Sequence, residues 1–419
     1  MQSGTMIPLD SRPTQNRVLR YLRPMPNTHL NAITSLKNHL RPLLKEHQRA
    51  GLEMAVEQKN WLNAAIYANN LSELELALGG IAAAIADAES AVAHAERSGE
   101  AFQRLARRTD QADALHQAGE AQAARALFEE AEAIQAEYDP EAPRLYSGAS
   151  FRYCEWLLSQ AERAAWRVGT GGAATPLDNR ASMVGERPFD AAQGPPFDGW
   201  RAASSHGAEV RSPSGVEGQA PLIAACIEAA GRAEAALVIA EQNNDLLGIA
   251  LHRLTLARAA LYRECLAADS PLGSAGQAPA ISETLQRTVS EAVDALRQAG
   301  TMDHLPRGLL TRAWVRALTR DLAGAEADLI EAQGIAEAGP MPLFLADIHL
   351  TRARLSFPRD PAGARADLLE ARRLIGEHGY HRRDEELADA EGWIEAWAPL
   401  RPDGRSRGRI RRPRGDKVA

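Results

Sequence analysis

Hydrophobic and small residues recur along most of this chain at helical spacing, in copies about 40 residues apart. Residues 320–332 read RDLAGAEADLIEA and residues 359–371 read RDPAGARADLLEA, so ten of thirteen positions are identical at an offset of 39. In each copy an alanine, a leucine and a second alanine are spaced four and three apart, which places them on one helical face. Small residues on that face let a second helix approach closely. The pattern predicts antiparallel helix pairs stacked in a repeat array.

Two earlier units follow the same plan. The first spans 60–98, with Gly79 and Gly80 between its helices, because a tight turn needs residues that tolerate positive φ. The second spans 100–138, with Gly119 at the turn. The predicted small-residue stripes are Ala84, Ala88 and Ala91, then Ala124, Phe128 and Ala131, then Ala325, Leu329 and Ala332, then Ala364, Leu368 and Ala371.

The periodicity is interrupted after the third long helix. Residues 169–221 contain nine glycines and six prolines in 53 positions and show no helical or strand period. We predict a disordered insertion between the two helices of one pair, since such a segment buries too little apolar surface to order itself. A docking motif for a partner is the alternative. Further helices are predicted at about 145–167, 222–242, 245–268, 279–299, 304–319, 322–337, 343–356, 361–377 and 383–397.

The chain therefore divides into five segments, and its fold class is predicted to be all-α. A poorly ordered lead-in covers 1–28, repeats cover 29–168, and the insertion covers 169–221. Repeats ending in a capping helix cover 222–398, and a basic disordered tail covers 399–419. The tail is interpreted as solvated, or alternatively as a weak contact for nucleic acid or acidic surfaces.

Composition and charge narrow the class of partner. Aromatic residues make up only 5% of the chain, which favours thin helical layers packed through small side chains. The net charge is −7, while residues 1–60 carry +5 and 399–419 carry +6, so residues 61–398 carry −18. An acidic body disfavours nucleic acid as the main partner.

Compartment is inferred from three further features. No apolar run reaches the roughly 18 residues of a membrane span. The N-terminus lacks the order of a signal peptide. Three widely spaced cysteines, Cys154, Cys226 and Cys265, fit neither a disulfide framework nor a zinc pattern. We therefore expect buried free thiols, no membrane partner and a cytoplasmic protein.

The repeat units resemble bacterial tetratricopeptide repeats (TPRs). Gly119, Ala124, Phe128 and Ala131 match that family's plan, whereas Arg108 stands at its early tryptophan position. The period near 40 is also longer than the family's 34. The resemblance implies a right-handed superhelical solenoid of helix pairs, interrupted here by the insertion.

Whole phrases also resemble the C-terminal TPR arrays of STAND-type signalling NTPases. They are NAAIYANNLSELELALG (63–79), GEAFQRLARRTDQADALHQAG (99–119), AGTMDHLPRGLLTRA (299–313) and EHGYHRRDEEL (377–387). In those proteins the array follows a nucleotide-binding switch domain, which is not found in this sequence. The resemblance implies a sensor or scaffold piece, whose partner would be a separate NTPase switch protein, or a remnant of a longer gene.

Motifs for catalysis are not found, so we expect neither an enzyme nor a cofactor or metal. The P-loop pattern GxxxxGK[ST] is absent, as are HExxH and GxSxG. His378 and His381, beside Arg382, Arg383 and Asp384, form the densest polar cluster. We interpret this cluster as a helix boundary, with Asp384 stabilising the N-terminus of the next helix; a metal or acid–base role is the alternative.

The TPR resemblance implies that inner positions of the first helix of each unit line a concave groove. A protein–protein interaction scaffold or sensor module, binding a peptide or protein there, is the predicted function. The alternative is a regulatory or sensor subunit, or a remnant, of a STAND-type NTPase system. Ordinary solvated or inter-helix positions are the other interpretation of these residues. The predicted groove residues are Asn69, Glu73, Thr109, Asp113, His116, Arg307, Trp314 and His349.

Overall fold

The protein is helical throughout the computed structural model, which describes residues 43–169, 216–267, 281–357 and 359–396. Those ranges contain no strand. Residues 43–57 are helical and precede the numbered helices. The numbered helices are α1 Trp61–Ala77, α2 Ile81–Ser98, α3 Ala101–Gln117, α4 Ala121–Tyr138, α5 Ser147–Gly169, α6 Val216–Gln242, α7 Leu246–Ala267, α8 Glu283–Ala299, α9 Leu305–Leu318, α10 Leu322–Ala338, α11 Pro342–Ser356, α12 Pro361–His378, the 3-10 helix η1 His381–Arg383, and α13 Asp384–Ala396.

Each numbered α-helix packs against the next one along the chain. The odd-numbered helices also pack against one another in the order α1, α3, α5, α7, α9, α11, α13, and we call them the inner row. The even-numbered helices flank this row. Helix α2, for example, buries a single stripe, whereas α7 of the inner row is buried on several sides. The predicted all-α fold of stacked helix pairs is thereby confirmed.

The stripes predicted from the repeat lie in the seams between helices. Ala84, Ala124 and Ala364 are completely buried and Ala325 is 4% exposed. The remaining members of the four stripes are likewise buried. Small side chains at these positions bring the two backbones of each pair together, which explains why alanine recurs there.

Two further identical positions of the duplication set the start of a helix. Asp321 and Asp360 are N-caps whose carboxylates accept hydrogen bonds at 2.9 Å from the amides of Gly324 and Gly363. A Cβ at either glycine would collide with the capping carboxylate. The repeated Asp-x-x-Gly is thus one structural device, a short cap that leaves room only for glycine.

The turns of the first two units use glycine as predicted. Gly79 has φ +80° and Gly119 has φ +84°, the left-handed region that other residues enter at a cost. Gly80 keeps a negative φ and serves as the N-cap of α2. Gly119 has a second reason to lack a side chain, because a Cβ there would lie 3.1 Å from the backbone of His381.

Helix α6 begins earlier than the sequence pattern predicts. Helices α5 and α6, which come before and after residues 170–215, pack together. Residues 216–221 were assigned to the insertion, which is wrong, because α6 begins at Val216 and contains Pro221. Glycine and proline in this stretch hid the helix start. The predictions for residues 1–42, 170–215, 268–280 and 397–419 lie outside the described residues.

The last unit contacts the first three, so the array closes on itself. Nδ1 of His378, at the end of α12, lies 3.1 Å from the carbonyl oxygen of Gly79. Nη1 of Arg382 lies 3.4 Å from Oε1 of Gln117. Ile81 shares a hydrophobic cluster with α11 and α12. Among the described residues, no helix is long and apolar enough to cross a membrane.

Candidate functional site

A charged cavity lies on the inner row, among α5, α7, α9, α11 and η1. About 40 Å³ is open to the centres of water-sized molecules, whereas one water needs about 10–15 Å³. Arginines and carboxylates dominate its lining, and one further carboxylate pairs with two of those arginines. We call this set the central cluster: Glu155, Glu162, Asp347, Glu386, Arg258, Arg307, Arg354, Arg382 and Arg383.

Helix α5 supplies two carboxylates to the centre. Glu155 and Glu162 are seven residues apart, close to two helical turns, so both side chains leave the same face. Arg258 of α7 pairs with Glu155 through Nη1 and donates from Nη2 to Oε2 of Glu162 at 3.0 Å. Its Nε donates to the Tyr262 hydroxyl at 2.8 Å. One buried arginine thus holds α5 against α7.

The last unit supplies the other half of the central cluster. Arg383 of η1 donates from Nε to Oδ1 of Asp347 at 2.8 Å, pairs with Glu386, and lies 3.3 Å from Oε1 of Glu162. Arg354 of α11 donates to Oε2 of Glu386 at 3.0 Å. Residues far apart in sequence therefore meet in one ion network, and the network joins α5 to the end of the array.

Aromatic rings form an apolar wall beside these charges. Trp166 stacks on Trp314 with ring centroids 3.7 Å apart, and Tyr262 lies 5.8 Å from Trp314. The Arg354 guanidinium lies over the Trp166 ring at 4.8 Å. The rings limit access of water to the ion network, which strengthens its electrostatic interactions.

Both α5 carboxylates are held in the ionised form. Burial alone would raise the pKa of Glu155, but the guanidiniums of Arg258, Arg307 and Arg382 outweigh burial and lower it to about 2. The pKa of Glu162 is also lowered to about 2, because Arg383, Arg258 and Arg382 outweigh burial. These groups cannot exchange a proton near neutral pH, so the arrangement favours recognition of ions over acid–base chemistry.

The histidines near the central cluster are neutral. Burial lowers the pKa of His304 to about 3, and Arg307 and Arg152 add to the effect. Burial, reinforced by Arg382 and Arg383, places the pKa of His116 well below its ordinary value. The central cluster therefore contains five guanidiniums and four carboxylates, with no further positive charge from these histidines.

Arg382 differs from the other buried arginines of the central cluster. Its side chain is 5% exposed, and its Nε and Nη2 have no hydrogen-bond acceptor among the described residues. The carboxylate oxygens near Nη2, on Glu162 and Glu155, lie at 3.6 and 4.0 Å. Oε2 of Glu155 is likewise without a hydrogen bond and lies 3.6 Å from Nε of Arg307.

Three of the predicted groove residues lie at or beside this centre, and two more belong to an adjoining ion network. Arg307 and Trp314 line the cavity, and the pKa of His116 responds to the same arginines. Glu73 and Asp113 are brought together by Arg152, at 3.0 and 3.7 Å. Arg152 also pairs with Asp110 at 2.9 Å, so a second ion network adjoins the first units.

Three predicted residues do not converge on the cavity. Thr109 is buried and donates to the carbonyl of Ala106. Asn69 is buried, and its Oδ1 has no hydrogen-bond partner among the described residues. His349 lies 2.6 Å from Oδ1 of Asp367, on the α11–α12 pair. These positions follow helical packing more than a shared groove.

The sequence analysis does not predict most residues of the central cluster. Glu155, Glu162 and Arg258 lie in helices that carry other charges as well, such as Arg163 and Arg253, so their charge alone gives no signal. Arg382 and Arg383 were singled out, but as part of a helix boundary. That interpretation holds for His381, whose Nδ1 lies 2.9 Å from Oδ2 of Asp384. The two arginines instead enter the cavity.

The described residues contain no group of three or more His, Cys, Asp or Glu placed to hold a metal ion. Cys154, Cys226 and Cys265 are buried and free, as predicted. Burial raises the pKa values of Cys154 and Cys265 to about 12, which disfavours a reactive thiolate.

No protein-family model matches the chain, and no relative is found among curated proteins.

Proposed function

We propose that this chain is a cytoplasmic TPR-like interaction module that recognises a protein or peptide through its inner row. The observation that carries the proposal is the concentration of charged and aromatic side chains on that row. Four α-helices and the 3-10 helix η1 meet there, whereas the flanking helices contribute mainly buried alanine stripes. Arrays of helix pairs present concave surfaces of this kind to their partners.

A sensor role is the second candidate, and the closure of the array favours it. The cavity is lined both by α5 and by the last unit, so a bound group would contact two parts of the chain that are about 220 residues apart. Binding there would stabilise the closed array. A regulatory or sensor subunit of a STAND-type NTPase would use such a response, which accords with the resemblance of the repeat phrases.

Site-specific photo-crosslinking tests the interaction role. Arg307 lines the cavity, its side chain is 24% exposed, and a photoreactive phenylalanine analogue there would face an incoming partner. Leu369, 67% exposed on α12, is the matched control on the flanking layer. Each labelled protein is irradiated in extract of the source organism, and crosslinked partners are identified by mass spectrometry.

We expect a partner crosslinked from position 307 and not from position 369. Crosslinking from position 369 alone would reject the inner row as the binding surface. Crosslinking from neither position, with folded protein confirmed by circular dichroism, would reject the interaction role.

A further inference from the structure

The Nε–Nη2 edge of the Arg382 guanidinium has no hydrogen-bond partner among the described residues, although Nη2 lies 3.6 and 4.0 Å from carboxylate oxygens of Glu162 and Glu155. Nε and Nη2 of an arginine lie on the same side and together fit two oxygens of one oxyanion. Elsewhere in this chain the edge is used in that way: Nε and Nη2 of Arg312 donate to the two carboxylate oxygens of Asp328 at 3.0 and 2.7 Å. The corresponding atoms of Arg382 have no acceptor within hydrogen-bond distance in the described chain.

The position of Arg382 makes this arrangement costly without a ligand. Its side chain is 5% exposed, and a buried charge whose donors are unpaired loses much of its solvation energy. Nη1 is accounted for by Gln117 at 3.4 Å. Arg382 lines the cavity, as does Arg307, whose Nε lies 3.6 Å from Oε2 of Glu155.

The charge balance of the central cluster also favours an anionic ligand. Five guanidiniums face four carboxylates, and all four carboxylates already pair with Arg258, Arg354 or Arg383. The central cluster therefore carries one net positive charge, and Arg382 has only the longer contacts, 3.6 and 4.0 Å, to Glu162 and Glu155. In the adjoining network carboxylates are in excess, since Arg152 pairs with Glu73, Asp110 and Asp113.

We propose that the cavity is a binding site for a small tetrahedral oxyanion of the phosphate class, held at the Nε–Nη2 edge of Arg382. The space inside, about 40 Å³ for water-sized centres, is enough for roughly three waters. It suits a free ion or a short phosphomonoester and excludes a nucleotide. Thr351 also lines the cavity and supplies a hydroxyl group, whereas the Thr311 hydroxyl already donates to the carbonyl oxygen of Arg307 at 3.0 Å.

This inference rests on the proposed function, because it assigns a ligand chemistry to the same inner row. Its consequence is that a small anion would join η1 to the centre of the array and stabilise the closed form. An anion-dependent interaction module would then respond to the concentration of that anion.

Titration of the full-length protein with inorganic phosphate tests the site. Isothermal calorimetry measures the affinity, and thermal unfolding is followed in phosphate against sodium chloride of equal ionic strength. We expect one phosphate per chain and a melting temperature that rises with phosphate but not with chloride. Glycerol 3-phosphate is titrated in parallel. Tighter binding of inorganic phosphate identifies the free ion as the ligand, and tighter binding of the ester identifies a phosphomonoester.

Three variants distinguish binding at Arg382 from a nonspecific effect of the protein's positive charge. Arg382→Gln removes the bidentate edge and is expected to weaken phosphate binding about tenfold or more. Arg382→Lys keeps the charge without the fork, so it should fold like the wild type and bind with intermediate affinity. Arg373→Gln is the matched control, since Arg373 is 53% exposed and pairs with Glu370 and Glu377 on α12. It should bind as the wild type does.

Absence of phosphate binding to the wild type would overturn the proposal, as would equal binding by wild type and Arg382→Lys. These outcomes are distinct from failure of the proposed function. Phosphate binding without a crosslinked partner would reject the protein-interaction role alone. A partner crosslinked from position 307, with no phosphate binding, would reject the oxyanion site alone.

Discussion

At the scale of single residues, buried polar groups decide how this protein responds to pH. His252 is completely buried in α7, and neither ring nitrogen has a hydrogen-bond partner among the described residues. Burial lowers its pKa to about 4. Together with His116 and His304 it must remain neutral in the folded state, while all three are free to protonate when the chain unfolds.

Acidification is therefore expected to destabilise the fold well above the pH at which carboxylates titrate. Between pH 6.5 and 4 the unfolded state binds more protons than the folded state, so the free energy of unfolding falls as pH falls. Each neutral buried histidine contributes up to about 1.4 kcal/mol per pH unit in this window. Below about pH 4.5, Glu155 and Glu162 add a loss of the same sign, because their folded pKa values are about 2.

Replacing His252 with leucine isolates one of these contributions. Urea unfolding of His252→Leu across this pH window should show a shallower decline in the free energy of unfolding than the wild type, by roughly 1 kcal/mol per pH unit. His47→Leu, at an exposed position of the first helical segment, is the control and should keep the wild-type slope. An unchanged slope in His252→Leu would show that His252 is not buried in solution.

At the scale of helices, the structure explains the cap and seam positions of the duplicated unit. The aspartate and glycine start the helix, and the two alanines and the leucine seal the seam. Polar positions that differ between the copies, such as Glu326 and Arg365, are not needed for either task. The same division applies to α2 and α4, whose buried stripes are the ones predicted.

Enlarging a seam alanine tests this division. Ala325 packs in a hydrophobic cluster with Ala313 and Leu329. Ala325→Trp should overpack that seam and lower the free energy of unfolding by about 1–3 kcal/mol in urea denaturation. Ala327→Trp, two residues along on the exposed face of α10, should change stability by less than about 0.5 kcal/mol. Equal effects at the two positions would place Ala325 outside a packed seam.

How far the sequence predicts this structure depends on how many positions separate the contacting residues along the chain. Stripes and turns involve residues within one or two turns of each other, so periodicity reveals Ala84 and Gly119 directly. The contacts of the central cluster, by contrast, join residues that are far apart in sequence. Arg258 and Glu155 are 103 positions apart, and their pairing depends on how successive units rotate, which no local pattern specifies. Three of the predicted groove residues, Arg307, Trp314 and His116, lie at or beside the cavity, because they belong to helices of the inner row.

At the scale of the whole molecule, closure of the array determines what the inner row can do. An open array of this length would expose the faces of α5 and η1 that form the cavity. Closure relies on contacts between α5 and α13, the most direct being Arg163, which donates to both carboxylate oxygens of Asp389 at 2.6 and 3.2 Å. Nearest-neighbour stacking alone does not supply such a contact, since 226 residues separate the pair.

A double-mutant cycle on this pair tests whether the closed form persists in solution. We expect Arg163→Ala and Asp389→Ala to show a coupling energy of about 0.5–1.5 kcal/mol in urea unfolding, because the pair is bidentate and partly buried. The exposed pair Arg287 and Glu291 within α8, 3.9 Å apart, is the control and should show coupling near zero. Equal coupling in both cycles would mean that the array is open. The cavity would then form only when a ligand draws the last unit onto α5, and phosphate should in that case increase the coupling between Arg163 and Asp389.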